Sequence, residues 1–147
     1  DRIIGIVCEY DIPPGKLILE ITEHSAMHDP LAAAAAMRRL TEAGIQFSID
    51  DFGTGYSSLV QLKRLPFAEL KIDRSFVTDI ANNAEDRQIV EAIVLIARQF
   101  GLRVVAEGVE DKETGVLLGN LGVDLLQGFG IAKPMPCSEF EAMALAA

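Results

Sequence analysis

Five short apolar runs, each closing on a polar or ionisable residue and each followed by a turn or helical pattern, constrain this chain more than any other feature. The runs are Leu17–Ile21, Ile45–Ile49, Glu69–Ile72, Arg103–Ala106 and Val123–Leu126. At or beside their carboxyl ends stand Glu20, Asp50 with Asp51, Lys71 with Asp73, Glu107 and Gln127. The first run follows the turn Pro13-Pro14-Gly15. Between the runs, Asp29-Pro30 opens a helix through Leu31, Met37 and Leu40 that Gly44 ends. Leu59, Leu62 and Leu65 mark a second helix, stopping before Pro66. Glu85-Asp86 opens a third through Ile89, Ile93, Ile96 and Phe100, with Arg98 in its last turn and Gly101 after it. Asp111 to Leu121 is a fourth, and Ser138 caps a last one over Glu139 to Leu145. Phe52 to Ser58 (FGTGYSS) reads as a glycine-rich loop. Strand–helix alternation predicts a parallel sheet covered by helices.

Buried parallel strands are nearly continuous apolar runs, so a polar or ionisable group at the end of all five is a pattern. In a (β/α) barrel those ends converge on one face, where active sites lie. Several acids and one lysine then share a small volume, and like charges raise one another's pKa unless compensated. One or two divalent cations remove the conflict, and carboxylate-only ligation suits hard ions such as Mg²⁺, Mn²⁺ or Ca²⁺. Asp50 and Asp51 can serve two ions ~3.5–4 Å apart, the spacing of two-metal phosphodiester cleavage. The competing reading is a set of separate surface acids and helix caps. The 147 residues suit one domain, yet a barrel needs eight strands and ~250 residues. Arg2–Tyr10 (RIIGIVCEY) reads as the end of an amphipathic segment with no cap before it, and the chain is expected to start inside a domain.

The charge narrows the partners. Lys and Arg number 13 against 22 Asp and Glu, a net −9, which argues against a DNA or RNA polymer as ligand but not against a small anion held through bound cations. No apolar run approaches the ~18 residues of a membrane span, so no membrane contact is expected from this segment. Without an export signal, and with Cys8 and Cys137 giving no disulfide framework, the expected setting is cytoplasmic.

Five segments, in order, carry a resemblance to a known family: Leu19–Glu23 (LEITE), Asp50–Leu59 (DDFGTGYSSL), Leu70–Phe76 (LKIDRSF), Val105–Glu110 (VAEGVE) and Gln127–Pro136 (QGFGIAKPMP). The chain resembles the EAL domain family, bacterial phosphodiesterases acting on cyclic di-GMP. The resemblance implies a (β/α)8 TIM-type barrel, here an incomplete one of about five strand–helix units, and a two-metal hydrolysis of one phosphodiester to linear pGpG. By motif match, Glu20 and Asp50 ligate one metal and Asp50 with Asp51 serve the second. Glu107 ligates the second metal or acts as general base. Lys71 holds the attacking water or a phosphate oxygen, and Asp73 orients Lys71 or that water. Gln127 lies at the rim, and Phe129 stacks on a guanine, although as a residue it reads equally as core. Glu23 anchors the Phe52–Ser58 loop, which is also associated with dimer contacts. The implied metals are Mg²⁺ or Mn²⁺, with Ca²⁺ inhibitory. The implied partners are cyclic di-GMP, a second copy in a homodimer, and fused sensor or GGDEF domains.

The chain departs from the family pattern in lacking the Glu of the E-A-L motif and the Asn of the following strand. Glu91-Ala92-Ile93 lies inside a helix and is not that motif. Residues 1–147 are therefore expected to be the C-terminal portion of a single EAL domain, the parent an active phosphodiesterase and the isolated chain inactive. The alternative is a receptor that binds cyclic di-GMP without cutting it. A third reading, an unrelated barrel enzyme stabilising an enolate with Mg²⁺, is allowed by the fold alone. His24 and His28 read as loop histidines, Cys8 and Cys137 as inert thiols, Gly53 and Gly55 as loop flexibility, and Met135 and Met143 as packing. Glu139 and Glu141 favour the start of the last helix.

Overall fold

A computed structural model describes residues 2–22, 25, 30–53 and 59–146. The strands are β1 (Ile18–Thr22), β2 (Gln46–Phe52), β3 (Glu69–Ile72), β4 (Arg103–Ala106) and β5 (Leu125–Leu126). The helices are α1 (Arg2–Glu9), α2 (Pro30–Glu42), α3 (Leu59–Arg64), α4 (Ala84–Phe100), α5 (Lys112–Leu121) and α6 (Cys137–Ala146), with a 3₁₀ turn at Arg74–Phe76. The strands form one sheet in chain order, every neighbouring pair parallel. Sequential parallel order with right-handed crossovers puts all covering helices on one side, which is the wall of a (β/α) barrel.

The strand period of two sorts the side chains accordingly. Phe47, Ile49, Leu70, Ile72, Val104 and Ala106 pack beneath Met37, Leu62, Val90, Ile93, Val94, Ala97 and Leu118 in one buried apolar cluster. The intervening residues point to the other face: Glu20, Ser48, Asp50, Glu69, Lys71, Arg103 and Val105. Local signals set the helix ends. Asn83 Oδ1 accepts from the amides of Glu85 and Asp86 at the start of α4, and Gly101 ends it in the left-handed conformation, φ 69°. Asp111 caps α5 by accepting from Thr114 N at 2.7 Å.

Three local expectations change. β2 runs to Phe52 instead of stopping at Ile49, so Phe52 is a buried strand residue and not part of a loop. Its register pairs Ile49 with Leu70 and Phe52 with Ile72. Two residues, Asp50 and Asp51, therefore stand opposite one, which is a β-bulge. Asp51 takes the left-handed region, φ 56°, which a short polar side chain tolerates. β5 is confined to Leu125–Leu126: Asp124 N still donates to Val104 O at 3.0 Å, but the Asp124 carboxylate, not a backbone carbonyl, accepts from Val104 N, at 2.7 Å. α6 starts at Cys137, so Ser138 lies inside the helix rather than capping it. The Arg2–Tyr10 segment, read as amphipathic, is helical over Arg2–Glu9 and buries Val7.

Candidate functional site

The polar side chains meet where the strands leave the sheet, on the face opposite the helices. Lys71 is at the centre. Its Nζ lies 2.8 Å from Glu20 Oε1 and 3.5 Å from Asp50 Oδ1, and it is ion-paired with Glu107 Oε1. Its side chain is 4% exposed, against 52% for Glu20 and 22% for both Asp50 and Glu107. Burial by itself would push this ammonium down. Hydrogen bonds to Glu107 and Glu20, with the charges of Glu107 and Asp50, outweigh it and hold the pKa above the usual lysine value. A compact ammonium on a long stem suits contact with three carboxylates at once.

The bulge shapes the acidic side of this arrangement. An unbroken strand would send Asp50 and Asp51 to opposite faces. The extra residue returns Phe52 to the core while both aspartates stay at the strand end, half-buried, with Asp51 N donating to Asp50 Oδ1 at 3.1 Å. Asp73 is engaged with the turn that follows β3. Its carboxylate caps the 3₁₀ turn, accepting from the amide of Ser75 at 2.9 Å and from the Ser75 hydroxyl. Those bonds, the hydroxyl first, hold the Asp73 carboxyl below its ordinary value. The ion-pair partners of Lys71 are Glu20, Asp50 and Glu107, not Asp73.

Gln127 and Phe129 flank Glu107. Gln127 N donates to Ala106 O at 2.9 Å and Gln127 O accepts from Val109 N at 3.1 Å, which fixes the backbone and leaves the side chain exposed. Phe129 is 65% exposed, so its reading as a core residue is corrected. Gly128 and Gly130 press the turn against the backbone of residues 109–111, where any Cβ would overlap, and this turns the Phe129 ring outward. Lys133 Nζ sits 5.9 Å from its centroid, within cation–π range. A cleft of about 530 Å³ joins Glu107, Gln127 and Phe129 to Arg74 and Ser75. Met143, expected to pack, is 42% exposed.

Glu23, His24, His28 and residues 54–58 of the glycine-rich loop lie outside the described residues. Among the described residues, Glu20, Asp50 and Glu107 converge on the ammonium rather than on one another, and no three acids, histidines or cysteines stand close enough together to hold an ion as placed. Cys8 and Cys137 are exposed free thiols. Sequence reasoning missed the bulge and an ion pair beneath Lys71, the half-exposed Arg103 with the buried Glu69 at 3.3 Å. The signal for the pair was present in the alternation Glu69-x-Lys71, where two charges share one face of a strand otherwise apolar.

The sequence model of the EAL domain matches residues 1–134. The chain is 45% identical over 142 residues to the bifunctional diguanylate cyclase/cyclic di-GMP phosphodiesterase MucR of Pseudomonas aeruginosa, covering 97% of this chain and 21% of that protein. Among solved structures, the PaMucR phosphodiesterase in complex with c-di-GMP superposes with a TM-score of 0.87 at 46% identity, over 92% of this chain and 55% of that one. Klebsiella pneumoniae BlrP1, as its manganese/cy-diGMP complex, gives 0.80 at 32% identity over 87% and 33%. The chain spans about a fifth of the length of the curated relatives it matches.

Proposed function

Because the chain belongs to the EAL domain family, we propose that it forms the acidic half of a metal-dependent active site that hydrolyses cyclic di-GMP to linear pGpG. The observation that carries this reading is the convergence of Glu20, Asp50 and Glu107 on Lys71 at the carboxyl ends of four neighbouring strands. Three carboxylates in so small a volume demand positive charge, and one buried ammonium supplies only part of it. The donors are carboxylate oxygens alone, the chemistry that suits Mg²⁺ or Mn²⁺. Glu20, Asp50, Asp51 and Glu107 are the residues that would hold such ions, which when bound would activate water and neutralise a phosphate.

The protein groups have separable tasks. Glu107, half-buried at the edge of the cleft, is placed to accept a proton from an attacking water. Lys71 holds a water or phosphate oxygen by charge. Asp73 keeps the turn after β3 in place through Ser75. Gln127 and Phe129 offer an exposed amide and an aromatic face to a purine. Glu23 is assigned the anchoring of the glycine-rich loop on motif match alone. The sheet's two outer strands, β1 and β5, each have one neighbour among the described residues. We therefore assign residues 1–147 to the C-terminal portion of one barrel, with turnover belonging to the complete barrel. A homodimer and fused sensor or cyclase domains complete the proposal, the latter supported by the bifunctional relative.

The test is calorimetric titration of cyclic di-GMP into the chain with Ca²⁺, followed by product analysis with Mn²⁺. Binding that Asp50→Ala abolishes supports the site. Binding with pGpG formed only in the complete barrel supports the whole reading. Binding with no hydrolysis in either setting identifies a receptor instead. No binding by a folded sample overturns the assignment.

A further inference from the structure

Beneath the Lys71 layer, the same face of the sheet carries a second row of polar side chains. Glu69 precedes Lys71 by two residues on β3, so both project to one side, roughly 6–7 Å apart along the strand. Glu69 is 6% exposed and takes no part in the site above it. Register aligns Ser48, Glu69 and Arg103 across three strands. Arg103 Nη2 lies 3.3 Å from Glu69 Oε2 and donates to Gln46 Oε1 at 3.1 Å. Ser48 Oγ is buried without a hydrogen-bond partner, so this hydroxyl does not serve the Glu69 carboxylate.

Lys71 thus has carboxylates on two sides: three at the strand ends and Glu69 below. A buried carboxylate without a counter-charge is costly and draws any ammonium within reach. The lysine stem has four flexible carbons and can swing either way. Arg103 presents a fixed fork from the adjacent strand, is 48% exposed and is itself only lightly desolvated. We infer that Arg103 is a positioning residue for Lys71: by neutralising Glu69 from the side, it leaves the ammonium to Glu20, Asp50 and Glu107. The inference rests on the reading of Lys71 as a working group of the site.

The test compares Arg103→Met, Glu69→Gln and the double variant in ¹⁵N-lysine NMR spectra of the full chain, with the Lys71 ammonium signal identified by its loss in Lys71→Met. Arg103→Met is expected to move that signal as the ammonium turns to Glu69. Glu69→Gln breaks the same pair but removes the competitor, so the signal is expected to stay, and in the double variant to return. Where the site turns over cyclic di-GMP, kcat is expected to fall about 10- to 100-fold in Arg103→Met, the usual cost of losing an outer-shell partner, and to recover in the double variant. An unmoved signal in Arg103→Met overturns the inference. So does an equal shift in Glu69→Gln, which would mark the pair as packing only. Should Arg103→Met not fold, Glu69→Gln and Arg103→Lys decide, both being expected to keep the signal in place. Absence of turnover in the complete barrel, with and without the substitutions, counts against the proposed activity and leaves the NMR comparison standing.

Discussion

At Lys71, burial and charge pull in opposite directions and charge wins, because three carboxylates reach one ammonium. Asp73 shows the same competition on a smaller scale, with a local outcome. Its carboxyl is held low by Ser75, so the folded state binds its proton less tightly than the unfolded chain does. Stability from this group is present above the ordinary carboxylate pKa of about 3.9 and is lost as pH falls through the lower folded value. Asp73→Ala is expected to lower stability by roughly 0.5–1 kcal/mol, the usual worth of a cap. In urea titrations the gap from the unsubstituted chain should hold at neutral pH and narrow progressively below about pH 4. A gap that showed no narrowing as the pH falls through the acid range would show that the capping charge is not its source. Residue identities at the site were legible in the sequence because ionisable groups interrupt apolar strands. Their partners were not. Asp73 and Lys71 are two residues apart, yet the first turns to Ser75 while the second reaches across three strands.

The elements place these side chains. The bulge in β2 sets Asp50 and Asp51 side by side at one strand end, and the approach of residues 128–130 to residues 109–111 turns Phe129 into the cleft. Gly128 has φ 159°, at the edge of the range that L side chains rarely adopt. Space is its main constraint, since a Cβ there would overlap Val109 N and O. Gly128→Ala is expected to cost about 2 kcal/mol, in the range of an overpacked core, and to raise proteolysis of the 127–135 segment while leaving the α4 and β3 amides protected from exchange. Equal loss of protection everywhere would contradict a local role. Helix α4 was legible nearly to the residue, because Asn83, Glu85, Asp86 and Gly101 speak through short-range bonds that the sequence contains. The bulge was not, because it depends on the register with β3 more than on any feature of β2 alone.

For the whole molecule, the one-sided helix cover leaves a polar face whose upper layer is predominantly acidic. If that layer is built for divalent cations, Mn²⁺ stabilises the folded chain by mass action, about 2.7 kcal/mol at 100 times Kd. For a chain of this size that is a rise of roughly 5–10 °C in Tm, reversed by EDTA and absent in Asp50→Ala and Glu107→Gln. A chain whose Tm ignores Mn²⁺ would leave Lys71 as the sole counter-charge and favour a site that binds without metal.

By itself the sequence determined the alternation of strands and helices, the direction of the sheet, the core faces and the acids at the strand ends, since each follows from apolar period, capping and turn chemistry over a few residues. Only the tertiary structure decided that Lys71 pairs with Glu20, Asp50 and Glu107, that Arg103 takes Glu69, and that Phe129 faces solvent. Those outcomes depend on register between strand residues 20 or more positions apart and on backbone contacts between loops, and no local pattern encodes either.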